Sequence, residues 1–168
     1  MTSRFKATRV GAAILGASVA LLVSALPASA EVHVKPDRHG NEKGMKVRLQ
    51  GRGVVPTGLI GLKIVDTDTT VKSYCVEIDQ GVSNDAGMVE VPWDKHPDDN
   101  SGLHDVKKRA KINWILNNSY PTVAFKTLSE TVGRDVSDEE AIAATQAAIW
   151  HFSDDAKLAG DSLEEGSD

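Results

Sequence analysis

Strand-like patterns in this chain crowd ahead of residue 80, and the strong helical patterns follow residue 103. Such segregation excludes an alternating βαβ plan and predicts an α+β fold. The expected architecture is a β-rich N-terminal part, a sandwich or barrel-like sheet, followed by a C-terminal helical part. Lys46-Val47-Arg48-Leu49 alternates polar and apolar residues as a half-buried strand does. Val54 to Gly58 reads as turn chemistry, and Leu59 to Val65 resumes strand character. Asp66 to Thr70 turns the chain into a third strand, Val71 to Ile78, with Tyr74, Val76 and Ile78 on one face and Cys75 and Glu77 on the other. A short strand is expected around Met88 to Val91, within an otherwise loop-rich stretch from 83 to 102.

Two helices are predicted beyond it. Leu103 to Asn117 places Leu103, Val106, Ala110, Asn113 and Trp114 on one stripe, and Asn117 to Pro121 ends it. The last helix has the sharper start. Ser137 followed by Glu140 forms a capping box, Asp138 to Glu140 suit the positive end of the helix dipole, and Ala141 to Phe152 are good helix formers.

Residues 1–30 read as a secretory signal: Arg4, Lys6 and Arg9 precede the apolar stretch Val10 to Leu26, and Ala28-Ser29-Ala30 supplies a cleavage site. The chain from Glu31 onward suits one domain large enough to bury a core without disulfides. Removing the three basic residues makes the formal net charge more negative than −5, which argues against a nucleic-acid or anionic-membrane partner. No second hydrophobic segment is expected to span a bilayer. Residues 31–44 read as a loosely ordered lead-in, 45–155 as the functional domain, and 156–168 as an acidic tail without a visible wall-sorting motif. The signal makes the expected location extracellular.

An exported chain with the single cysteine Cys75 has no internal disulfide partner for its thiol. Placed at roughly 100° per residue, Gln146 falls at the centre of the apolar stripe formed by Ile142, Ala143, Ile149 and Trp150. A buried amide there requires partners. The plain readings are a glutamine bound to backbone groups of a neighbouring strand and a small, inert, buried cysteine. A sharper reading joins the two: the Cys75 sulfur attacks the Gln146 side-chain amide, ammonia leaves, and a thioester results.

Tyr74-Cys75-Val76-Glu77 and Thr145-Gln146-Ala147-Ala148-Ile149-Trp150 resemble, in order, the two motifs of the thioester domains of Gram-positive surface proteins. Lys111 to Pro121 is similar to the helical segment that family carries between them. The resemblance implies a Cys75–Gln146 thioester at the junction of the β-rich and helical parts, with Tyr74, Glu77, Thr145, Ala148 and Trp150 as supporting motif residues. It implies a covalent adhesin rather than an enzyme, needing no cofactor, either free or associated with a cell wall; beside full-length relatives, which continue into stalk domains, the chain reads as a truncated product, a fragment or a secreted form. The partner would be an amine-bearing surface protein, typically through lysine, or another surface nucleophile. A non-covalent secreted binding module is the second reading, and a cysteine acyltransferase or hydrolase the third. The histidines His33, His39, His96, His104 and His151 lack zinc-ligand spacing. His151 lies about 140° around its helix from Gln146, facing away from the expected bond. The acidic loop from Asp94 to Asp105 lacks the ligand order of a calcium loop.

Overall fold

The computed structural model describes residues 32–82, 87–96 and 101–164. The expected signal segment, residues 83–86 and 97–100 of the loop-rich stretch, and the last four residues of the tail lie outside them. Strands β1 (His33–Pro36), β2 (Glu42–Leu49), β3 (Gly53–Ile64), β4 (Thr70–Ser73) and β5 (Met88–Val89) precede helices α1 (Ser101–His104), α2 (Val106–Asn118), α3 (Phe125–Val132) and α4 (Asp138–Ser153). Strand β6 (Leu158–Glu164) follows the last helix. The α+β class expected from the sequence is the one observed.

All pairings are antiparallel, and the sheet is organised around β3. The first half of β3 pairs with β2, from Leu49↔Gly53 to Glu42↔Leu59. Its second half pairs with β1 and β4, as in Val34↔Ile64 and Ile60↔Ser73. The Val54 to Gly58 stretch, expected as a turn, is inside β3. Pro56 is tolerated there because the β2 register shifts between Gly44 and Val47, opposite the residue that lacks an N–H.

Helix α4 lies against β2 and β3 and carries more of the buried residues than any other described element. Its capping box forms as expected, with Ser137 Oγ accepting from the Glu140 N–H at 3.1 Å and a Glu140 carboxylate oxygen accepting from the Ser137 N–H at 3.0 Å. Ile142 and Ile149 pack with Leu59, Tyr74, Leu103, Ile112 and Ile115. Ala143, Ala147 and Trp150 pack with Val47 and Leu49 of β2. The close approach of helix and strand depends on Gly44, where a Cβ would come within 2.6 Å of Ile142 Cγ2.

Several expectations are corrected. The lead-in at 31–44 is part of the sheet: His33 and Lys35 are exposed while Val34 and Pro36 are half-buried, so the charged residues mask an ordinary alternation. The described part of the tail joins the sheet as well, since β6 pairs along β2 through Val47↔Leu163 and Leu49↔Leu158. The third strand stops at Ser73, five residues short of its expected end. The long helix from Leu103 is broken at Asp105, whose carboxylate caps α2 by accepting from the Lys107 and Lys108 N–H groups at 2.7 and 3.2 Å. Leu103 therefore sits in a separate turn and does not set the phase of α2. Ile112 and Ile115 are buried, and the expected stripe residues Val106 and Trp114 are 67% and 63% exposed. Helix α3 had no counterpart in the sequence reading, and none of its residues is buried.

Candidate functional site

The side chain of Gln146, 1% exposed, meets the backbone of Cys75 at two points. The Cys75 N–H donates to Gln146 Oε1 at 3.3 Å, and Gln146 Nε2 donates to the Cys75 carbonyl at 2.6 Å. This explains the early end of β4. Past Ser73 the chain meets a side-chain amide rather than a neighbouring strand, and the amide satisfies the groups a ladder would have used. The hydrogen bonds of the plainer reading of Gln146 are thus present, and they put the amide directly beside the cysteine.

The Cys75 thiol is half-buried and donates to the Glu77 carbonyl at 3.0 Å. Burial pushes its pKa up, and the charges of Asp154 and Glu77 act in the same direction. The free thiol is therefore held protonated, a poor nucleophile in its resting state. Removing that proton is the chemical problem this site presents.

The segment that carries Cys75 is clasped at several points. Asp154, the C-cap of α4, accepts from the Ile78 N–H at 3.4 Å and from Ser153 Oγ at 2.7 Å. Arg52 holds the neighbouring Asp79 at 2.5 Å. On the other side the Tyr74 hydroxyl donates to the Tyr120 carbonyl at 2.9 Å, and the Tyr120 hydroxyl donates to Glu42 Oε2 at 2.9 Å. Lys72 Nζ lies 2.6 Å from Glu42 Oε1 and completes this chain. Burial raises the Tyr74 pKa, so its hydroxyl remains a donor.

Glu42 provides a measurable pH response. The hydrogen bond from Lys72, aided by that from Tyr120, holds its carboxyl below the ordinary value of 4.5. A depressed carboxylate contributes stability that is present above that value and lost as pH falls through the lower folded pKa. Both side chains are about one-third exposed, so solvent screening limits the contribution to about 1 kcal/mol or less. Glu42→Gln should flatten the acid limb of a plot of urea midpoint against pH. An acid limb as steep as that of the unaltered chain would assign the acid response to other carboxylates.

The remaining motif residues on α4 divide between the two core clusters, Ala148 against the first and Trp150 in the second. Thr145 and Trp150 are buried on α4, and Ala148 packs partly buried against the helical side of the core. Thr145 Oγ1 donates to the Ala141 carbonyl at 2.7 Å. The Trp150 indole N–H is buried without a hydrogen-bond partner among the described residues. Glu77 is mostly buried and faces His96, with Oε2 at 3.9 Å from Nε2. His151 is exposed, its Nδ1 2.9 Å from the Ala156 carbonyl, and so turns away from Cys75. Sequence reasoning missed the approach of His96 to Glu77 and the parts played by Tyr120, Glu42 and Asp154. Only Asp154 carried a signal, because an acidic residue at the negative end of a helix is disfavoured without another partner.

No group of histidine, cysteine and carboxylate side chains among the described residues is arranged to hold a metal ion. No helix of the described residues is long and apolar enough to cross a membrane. No curated protein and no solved structure matches the chain. The family model described as Thioester domain matches residues 72–168, from the strand before Cys75 through α4 to the last residue. With the cysteine and glutamine side by side in the matched region, which is more than half of its length, this chain belongs to the thioester domain family.

Proposed function

We propose that the chain is a secreted, surface-acting covalent adhesin domain, in which a thioester between Cys75 and Gln146 reacts with a nucleophile on a target, chiefly a lysine amine. The observation that carries this reading is the two-point pairing of the buried Gln146 amide with the Cys75 backbone. The amide reaches the cysteine from α4, which packs into both core clusters. The Cys75 S–H bond and the Gln146 C–N bond break, a C–S bond forms, and ammonia leaves with the thiol proton. An incoming amine later displaces sulfur and retains the Gln146 acyl carbon as an amide. Its proton returns to the thiol. The acyl group is consumed in a single event, so the domain acts as a reagent rather than a turning-over enzyme.

Extracellular placement rests on the signal-like segment at residues 1–30 together with the family. Intact mass decides the reading. The purified mature chain should be lighter than its sequence by one ammonia, and its thiol should resist alkylation until an amine opens the bond. Methylamine should add its full mass and expose one titratable thiol. A chain of full mass with a freely alkylated Cys75 would refute the thioester and leave a non-covalent binding module.

A further inference from the structure

We propose that the backbone carbonyl of Cys75 is the seat of the reacting nitrogen, holding ammonia as it leaves and the target amine as it enters, and so selects a primary amine. The inference rests on the covalent reading above and deepens it by naming the group that chooses the nucleophile.

Of the two contacts between Gln146 and Cys75, the shorter involves the nitrogen that reacts. Gln146 Nε2 donates to the Cys75 carbonyl at 2.6 Å. This nitrogen is the atom expelled when the thioester closes. An incoming amine bonds to the same acyl carbon, and opening by ammonia is closure run backwards, through the same transition state. An acceptor that holds the nitrogen in one direction therefore holds it in the other. Among the described residues, Gln146 supplies the donor to this carbonyl. Closure removes that donor, and a partly buried acceptor without a partner is costly. The entering amine restores the bond.

The seat is held from both sides. Asp154 accepts from the Ile78 N–H at 3.4 Å, and the Tyr74 hydroxyl donates to the Tyr120 carbonyl at 2.9 Å. The Cys75 N–H, 3.3 Å from Gln146 Oε1, faces the oxygen on which negative charge develops as the acyl carbon is attacked. One residue's backbone thus orients both the oxygen and the nitrogen of the reacting centre.

Selectivity follows from counting hydrogens. In opening, the amine forms a C–N bond, the C–S bond breaks, and one amine proton ends on the sulfur. A primary amine keeps a second hydrogen and donates it to the Cys75 carbonyl. A secondary amine gives its only hydrogen to the sulfur and leaves the carbonyl orphaned. A hydroxyl fails in the same way. Sites built to pair with a hydrogen-bonding group reject analogues that lack it. In closure the thiol proton passes to the departing nitrogen, which leaves as ammonia, so neither direction needs a further reagent. The nucleophile selected on a target is a lysine amine rather than the hydroxyl of a sugar or a serine.

The test uses the mature chain with its bond closed, and intact mass as readout. Isopropylamine and azetidine contain equal numbers of carbon atoms. The first is a branched primary amine, and the second is a secondary amine whose ring ties its carbons back. Bulk therefore counts against isopropylamine, and the missing hydrogen counts against azetidine. A simple alkyl thioester in the same buffer gives the intrinsic ratio of the two rates, with the same correction for protonation of each amine. The chain should favour isopropylamine over azetidine by about 10- to 100-fold more than the simple thioester does. Glycerol in large excess should add no mass. A ratio equal to that of the simple thioester would overturn the seat, even with both rates lowered, and so would a glycerol ester. A missing ammonia deficit in the starting chain would refute the thioester itself. A deficit combined with unselective opening would refute only the seat.

Discussion

Gln146→Ala should give a chain of full sequence mass that incorporates no amine, and it should destabilise the fold more than any other change at the site. Two losses add. The first is the cross-link, which would join positions 71 residues apart. By the loop-closure argument used for disulfides, tying a loop of that size removes about 4 kcal/mol of unfolded-state entropy. The second is local. Without the glutamine side chain, the partly buried Cys75 N–H loses the acyl oxygen that the thioester retains, and that orphaned group costs about 1–3 kcal/mol.

Cys75→Ala separates the two losses. It too prevents the bond and restores full mass, but it leaves an intact amide at Gln146 to pair with the backbone at position 75. The expected order of stability is therefore the unaltered chain, then Cys75→Ala, then Gln146→Ala, with about 2–3 kcal/mol between the two variants. Urea unfolding midpoints with mass measured on the same samples would show it. Equal midpoints for the two variants would mean that the amide–backbone pairing contributes nothing. A Cys75→Ala chain as stable as the unaltered one would mean that no cross-link restrains the unfolded state.

The same residues show why part of the site was legible in the sequence and part was not. Gln146 was readable because helix periodicity is rigid: once Ser137 and Glu140 fix the start of α4, every later residue has an assigned face, and a glutamine among Ile142, Ala143, Ile149 and Trp150 has to be buried. Cys75 was readable as a partner because it is the chain's only cysteine. Its setting was misjudged. Strand alternation continues on paper through Ile78, whereas the real ladder ends at Ser73 because a side chain from a distant helix occupies the next backbone groups. Local pattern cannot register a partner supplied from so far along the chain. The misphased face of α2 has a different origin. Asp105 begins a new helix, and a single cap reset the rotation of Val106 and Trp114. The approach of His96 to Glu77 was unreadable for a third reason: His96 lies outside any periodic element, so only the folded loop brings the two together.

Gly102→Ala should be the most damaging single methyl added anywhere in the described helices. A Cβ at this position would run into the carbonyl of Ser153 and approach the Phe152 carbonyl oxygen to 2.8 Å. Those neighbours are backbone of the final turn of α4, so no rotamer change relieves the contact. Either α1 lifts away, pulling the fully buried Leu103 out of the core, or the end of α4 shifts. The second response reaches the site, because Asp154 in that turn holds the Ile78 N–H of the segment that carries Cys75. Overpacking of this kind costs about 1–3 kcal/mol, and the rigid partner places this case at the upper end. The matching control is Gly87→Ala, where an added Cβ meets nothing within 4 Å and the midpoint should stay within about 0.5 kcal/mol of the unaltered chain. If the end of α4 moves, Gly102→Ala should also slow appearance of the ammonia deficit after refolding, and Gly87→Ala should not. A Gly102→Ala chain with an unchanged midpoint and an unchanged closure rate would mean that α1 does not seat against α4 as described, and that the clasp at Asp154 does not depend on it.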